Sequence, residues 1–129
     1  MNTTPRRRRT RRSAKTAGTA FETLVAKYLA AHVDDRIERR ARTGGKDRGD
    51  IGGVRHRGRR VVIECKNTSK AMLGPWAREA RLEAGNDDAA IGVVAHKRHG
   101  KGQAADQWVT MTLADFAWLL GADITPTEE

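Results

Sequence analysis

The chain carries one cysteine, Cys65, in 129 residues. A lone thiol forms neither an internal disulfide framework nor a cysteine-based zinc site. Aromatic residues make up 5% of the chain, so the core is expected to consist of Val, Ile, Leu and Ala. No apolar run approaches the roughly 18 residues of a membrane-spanning helix, which excludes such a segment. No apolar stretch follows the Arg-rich N-terminus at signal-peptide spacing, so secretion is not expected. The expected compartment is a reducing cytoplasm, the host's if the chain is viral. Acidic residues are missing from positions 1–15, which hold Arg6, Arg7, Arg8, Arg9, Arg11, Arg12 and Lys15.

What is present is positive charge. There are 25 Lys and Arg against 16 Asp and Glu, a net charge of +9. Between Arg36 and Lys101 there are 17 basic and 8 acidic residues, so basicity is concentrated in an N-terminal arm and a central segment. That distribution suits a polyanion partner. The arm lacks an apolar face to insert into a membrane. As a run of like charge it reads either as a solubilising tail or, preferably, as a non-specific phosphate contact whose strength falls with salt. The length fits one domain, and 38% apolar residues suffice for one small core.

Residues 1–17 hold no large apolar side chain and read as a disordered arm, with a domain over 18–123 and a disordered tail over 124–129. Phe21, Leu24, Val25, Tyr28 and Leu29 fall at helical spacing, which predicts a helix over 19–32. Thr19 and Glu22 form a capping-box pattern at its start. Residues 36–43 are a weak, polar strand, and 44–49 a Gly-rich loop. Residues 50–54 and 59–66 are expected to form an antiparallel hairpin across a turn at 55–58, the second strand carrying β-branched Val61, Val62 and Ile63. A helix over 75–84 closed by Gly85, strands at 90–95 and 107–111, and a helix over 113–120 capped by Thr112 complete the order α-β-β-β-α-β-β-α. The fold class is α/β, a central mixed sheet flanked by helices.

On a strand, residues two apart share a face, so Glu64 and Lys66 lie together while Ile63 and Cys65 point away. A carboxylate and an ammonium within an apolar strand are costly unless compensated. The proposed hairpin puts Asp50 on the neighbouring strand, where it can converge with Glu64. Two converging carboxylates suit a hard, oxygen-loving cation such as magnesium. Lys66 would then orient a water or stabilise charge on a phosphate, and Glu22 could add a third carboxylate. The competing reading is a cross-strand or surface ion pair between Glu64 and Lys66.

Three segments together resemble the nuclease superfamily named for its Pro-Asp…Asp/Glu-x-Lys motif, in particular the archaeal-type Holliday-junction resolvases. Gly18 to Glu22 is similar to the helix opening that bears that family's first catalytic glutamate. Gly44 to Ile51 is similar to its Gly-rich loop before the metal-binding aspartate, with Gly49 in place of the motif's proline. Val61 to Lys66 is similar to its Glu-x-Lys strand. The resemblance covers roughly residues 16–120. It implies a restriction-endonuclease-like fold and catalytic roles for Glu22, Asp50, Glu64 and Lys66. It further implies metal ligation by Asp50, Glu64, Glu22 and the Cys65 backbone carbonyl, with magnesium as cofactor and manganese as its substitute. The implied activity is phosphodiester hydrolysis that resolves four-way DNA junctions during recombination, by a homodimer with no small-molecule cofactor. Other structure-specific or restriction-like nucleases of the superfamily, and a non-catalytic nucleic-acid-binding protein, are the alternatives.

Arg42, Lys46 and Arg48 beside the Gly-rich loop, and Lys97, Arg98 and Lys101 on the later loop, are expected to contact DNA phosphates. His96 and His99 lack the further ligands a zinc site needs and read as a solvent-exposed or phosphate-contacting pair. Trp76 is expected to pack, at a dimer interface, rather than stack on a base, and Trp108 and Trp118 to lie in the core. Cys65 reads as a small buried residue rather than a nucleophile.

Overall fold

The computed structural model describes residues 10–41 and 45–123. Its first helix, α1, spans Arg11–His32. The order continues with β1 (Glu38–Arg39), β2 (Ile51–Gly52), β3 (Arg55–His56), β4 (Arg59–Lys66), α2 (Leu73–Asn86), β5 (Ile91–His96), β6 (Trp108–Thr110) and α3 (Leu113–Leu119), with a 3-10 turn at Ala104–Asp106 before β6. The fold is α/β: a mixed sheet of six strands flanked by three helices. The short β3 strand and the 3-10 turn are additions to the expected order.

β4 is the strand that organises the sheet. Its β-branched Val61, Val62 and Ile63 suit a pleated surface buried on both sides. β3 folds back onto its start through Arg57 (φ 55°) and Gly58 (φ 75°), two consecutive left-handed residues whose twist matches a two-residue hairpin. β2 pairs antiparallel with β4, Ile51 opposite Ile63, as the expected hairpin requires. β5 pairs parallel with β4 from Val61↔Ile91 to Lys66↔His96. A parallel neighbour needs a crossover, which α2 supplies. β1 and β6 are the two edges of the order β1-β2-β4-β5-β6.

Each face of the sheet is covered differently. Val61, Ile63, Val93 and Ala95 point toward α1 and α3, where Ala26 and Trp118 complete the main core. Val62 and Val94 point toward α2, against Ala84 and against Ala80 with Trp76. The small residues at 80 and 84 bring α2 close to the sheet. A Cβ at Gly92 would run into the Ala80 carbonyl, so that position requires glycine.

Four expectations are corrected. The helix begins at Arg11, so residues 11–17 are helical rather than disordered; Thr10 caps it, its Oγ1 accepting from the Ser13 amide at 3.1 Å. Arg, Lys and Ala are strong helix formers, and their propensity outweighs like-charge repulsion here. Thr19 is therefore internal to α1, its carbonyl accepting from the Thr23 hydroxyl, and forms no capping box. Helix α2 runs through Gly85 and stops at Asp87–Asp88, where Asp88 takes the left-handed turn (φ 51°). Trp108 is half exposed on edge strand β6 and carries the Arg98 guanidinium over its ring at 4.3 Å, whereas Trp118 is in the core and Trp76 is buried within its own domain against Ala80 and Val94. Residues 1–9 of the arm and the 124–129 tail lie outside the described residues. Thr112 caps α3 as expected, accepting from the Asp115 amide.

Candidate metal centre

Glu64 sits on the α2 face of β4, one step past Val62 and Ala84. Only 6% of it is exposed. On α2, Glu79 and Glu83 are four apart and share one stripe of the helix, beside the buried Ala80 and Ala84. That stripe brings both over Glu64. Asp47 reaches the same place from the Gly-rich loop. One carboxylate oxygen from each of Asp47, Glu64, Glu79 and Glu83 lies within 4.8 Å of the others.

The loop is built to deliver Asp47. Its Oδ1 accepts from the Gly49 amide at 3.0 Å, closing a local turn, and its carbonyl accepts from Asn86 Nδ2 at the end of α2. Gly49 has φ 90°, and a Cβ there would meet Val62 Cγ1 at 2.8 Å. Proline, locked near φ −65°, cannot adopt this conformation. Glycine is the residue the geometry demands where the resembled motif has proline.

Lys66 stands two residues on from Glu64, on the same face. Its Nζ lies 2.8 Å from Glu79 Oε2 and 3.5 Å from Glu64 Oε1. Burial acts to lower its pKa, but the bond to Glu79 and the charge of Glu64 outweigh it and hold the ammonium above its ordinary value. One cation does not neutralise the group. Among the described residues, the buried side-chain oxygens without a hydrogen-bond partner are Glu64 Oε2 and both oxygens of Glu83, a residue only 1% exposed. Burial and then the neighbouring Glu64 push Glu83 up to about 11. Burial likewise raises Glu64, against the opposing contacts of Glu83 and Lys66.

Asp50 forms a second junction next to Glu64. Its Oδ2 accepts from the Cys65 amide at 2.8 Å. Burial, then the charge of Glu64, raise it to about 8, with Glu22 of α1 adding charge and a side-chain bond. Glu22 is also paired with Arg39 of β1 at 3.2 Å. The structure thus places Glu22, Asp50, Glu64 and Lys66 in one connected set, with Asp50 between Glu22 and Glu64. The tight four-oxygen cluster, however, includes only Glu64 of the expected ligands. Cys65 contributes its amide to Asp50; its thiol is raised by burial and then by the Asp50 charge, which disfavours the thiolate a nucleophile needs.

Asp47, Glu79 and Glu83 were not among the expected residues. The spacing of Glu79 and Glu83, four apart on the expected 75–84 helix, puts them on one stripe, but nothing in the sequence says that this stripe faces Glu64.

The expected phosphate contacts divide. Lys46 and Arg48 line an open cleft beside Asp47. Lys97 is folded onto its own loop, its ammonium donating to the carbonyls of Arg98 and Lys101, and Arg98 stacks on Trp108. Arg42 lies outside the described residues. His96 is no exposed partner of His99: its Nε2 lies 2.7 Å from Thr110 Oγ1, its ring packs against Trp76, and burial lowers its pKa.

An all-oxygen donor set with buried, unpartnered carboxylates fits a hard divalent cation. Among the described residues this cluster can hold a metal ion. Among them, too, no helix is long and apolar enough to cross a membrane. Compared with family models, curated proteins and solved structures, the chain matches none.

Proposed function

We propose that the protein is a metal-dependent DNA endonuclease of restriction-endonuclease-like architecture, acting on four-way junctions as a homodimer. The observation that carries this reading is Glu64: a buried carboxylate with an unpartnered oxygen, surrounded by three further carboxylates and flanked on its own strand by a charged lysine. Burying these carboxyls together keeps Glu83 protonated and raises Glu64; a divalent cation that replaces the protons relieves that cost, which argues for ligand binding rather than fold stability. The resemblance of Gly18–Glu22, Gly44–Ile51 and Val61–Lys66 to the resolvases supplies the choice of substrate.

Glu64, Glu83, Asp47 and Glu79 would hold magnesium or manganese, with Asp50 and Glu22 completing the acidic surround. A bound cation of this kind polarises a phosphoryl oxygen and lowers the pKa of a coordinated water. The chain's own contribution is positional. Glu79 and Glu64 fix the Lys66 ammonium, which would oppose the charge that grows on the phosphate under attack. The Cys65 amide fixes the Asp50 carboxylate. The mutual pairing of Lys66 with Glu79 and Glu64 favours one second reading, a non-catalytic nucleic-acid binder whose pocket is self-neutralised.

A fluorescently labelled mobile four-way junction, incubated with magnesium or with EDTA, tests the proposal. Paired nicks near the crossover with magnesium alone are expected. No product with any divalent cation would leave the binder reading standing. Equal cutting of linear duplex would remove the junction preference while keeping the nuclease.

A further inference from the structure

Asp47 also lines a cleft of about 310 Å³. Four cations line it, Arg40, Lys46, Arg48 and Arg60, against two acids, Asp47 and Asp87. Both acids are engaged. Asp87 Oδ2 pairs with Arg40 at 3.2 Å, and its carbonyl accepts from Arg60 at 2.9 Å. Asp47 closes its own turn on the Gly49 amide. Arg40 also donates to the Arg48 carbonyl at 2.9 Å. Arg40 and Arg60 are therefore held in position before any ligand arrives, which lowers the entropy lost on binding. Among the described residues, the side chains of Lys46 and Arg48 have no hydrogen-bond or ion-pair partner, and both are exposed.

We propose that this cleft seats one phosphodiester group of a nucleic-acid strand, next to the group presented to the carboxylate cluster. Guanidinium forks match phosphate oxygens, and lysine adds a point charge. The walls are almost wholly charged, which disfavours an apolar ligand. Asp47 belongs to both places: it lines the cleft and lends an oxygen to the cluster. An isolated anion would occupy the cleft alone. A nucleic-acid strand, which carries one phosphate per nucleotide, can present one group to the cleft and a neighbouring group to the cluster. The choice of nucleic acid rests on the nuclease reading; the cleft's preference for anions does not.

Binding of a labelled four-way junction, measured by fluorescence anisotropy in EDTA across a range of salt concentrations, isolates the cleft from any metal. The double variant Lys46→Ala/Arg48→Ala is expected to bind roughly tenfold more weakly, with a salt slope shallower by about two. Lys27→Ala, an exposed change on α1, should leave both unchanged. Far-ultraviolet circular dichroism confirms that the variants are folded. Wild-type affinity and slope in the double variant would overturn the inference. Magnesium-dependent cutting by the wild type is scored in parallel. Cutting with an unchanged slope rejects the cleft and keeps the nuclease; a reduced slope without cutting keeps the cleft and rejects the nuclease.

Discussion

The two faces of β4 are built to opposite rules. Toward α1 and α3, Val61, Ile63 and half-buried Cys65 meet Ala26, Val25 and Leu29 in a continuous apolar core. Toward α2, Val62 meets Ala84, but one step later Glu64 meets Glu79 and Glu83, with buried oxygens left unpartnered. The first face removes apolar area from water at about 25 cal/mol per Å². The second brings carboxyls together in a shielded place, where burial holds Glu83 protonated. The lesson is that the apolar face fixes where the acidic face points, and that the acidic face keeps its protons unless a cation takes their place.

The sharpest way to break this contrast is to alter each face separately. Glu64→Gln and Lys66→Ala should each lower the single-turnover cleavage rate by roughly a thousandfold while leaving the fold intact. If either cuts at the wild-type rate, the catalytic assignment is wrong. Ile63→Ala, one residue away but on the apolar face, should cost about 2–5 kcal/mol of unfolding free energy in urea titrations. A loss well under 1 kcal/mol would show that the apolar face does not hold the domain together. Gly49→Ala should cost about 1–3 kcal/mol, because its φ of 90° and the 2.8 Å approach to Val62 exclude a side chain; urea unfolding reads this as well.

The charged face also sets a pH dependence in the absence of metal. Folding raises Asp50 to about 8 and Glu83 to about 11, so the folded chain binds protons that the unfolded chain has released. Their stabilisation is complete below the ordinary carboxylate range and is lost as pH rises toward those values. The urea midpoint in EDTA should therefore fall steadily from pH 5 to pH 9. Glu83→Gln, which imitates the protonated acid, should flatten that fall; an unchanged slope would place the titration elsewhere.

A second contrast lies between the two basic loops. Before Asp50, Lys46 and Arg48 face an open cleft; after β5, Lys97 and Arg98 are used by their own loop and by Trp108. Both loops read alike in sequence, since composition does not reveal which cation a nearby carbonyl will capture. The strand over 59–66 was legible to the residue because its β-branched run and its length are local properties. That Glu64 and Lys66 share a face was legible from strand alternation alone. Asp47, Glu79 and Glu83 were not, because their meeting depends on which stripe of α2 lies over Gly92 and Val62. The start of α1 at Arg11 was obscured by reading charge where helix propensity decided.

Thermal unfolding at pH 8, in EDTA and then with increasing manganese or magnesium, bears most directly on whether the carboxylates around Glu64 are a cation site. The wild-type midpoint should climb with metal concentration, as it must when a ligand binds only the folded state. Glu64→Gln combined with Glu83→Gln should abolish that climb. A wild-type midpoint indifferent to either metal at millimolar concentration would contradict the account.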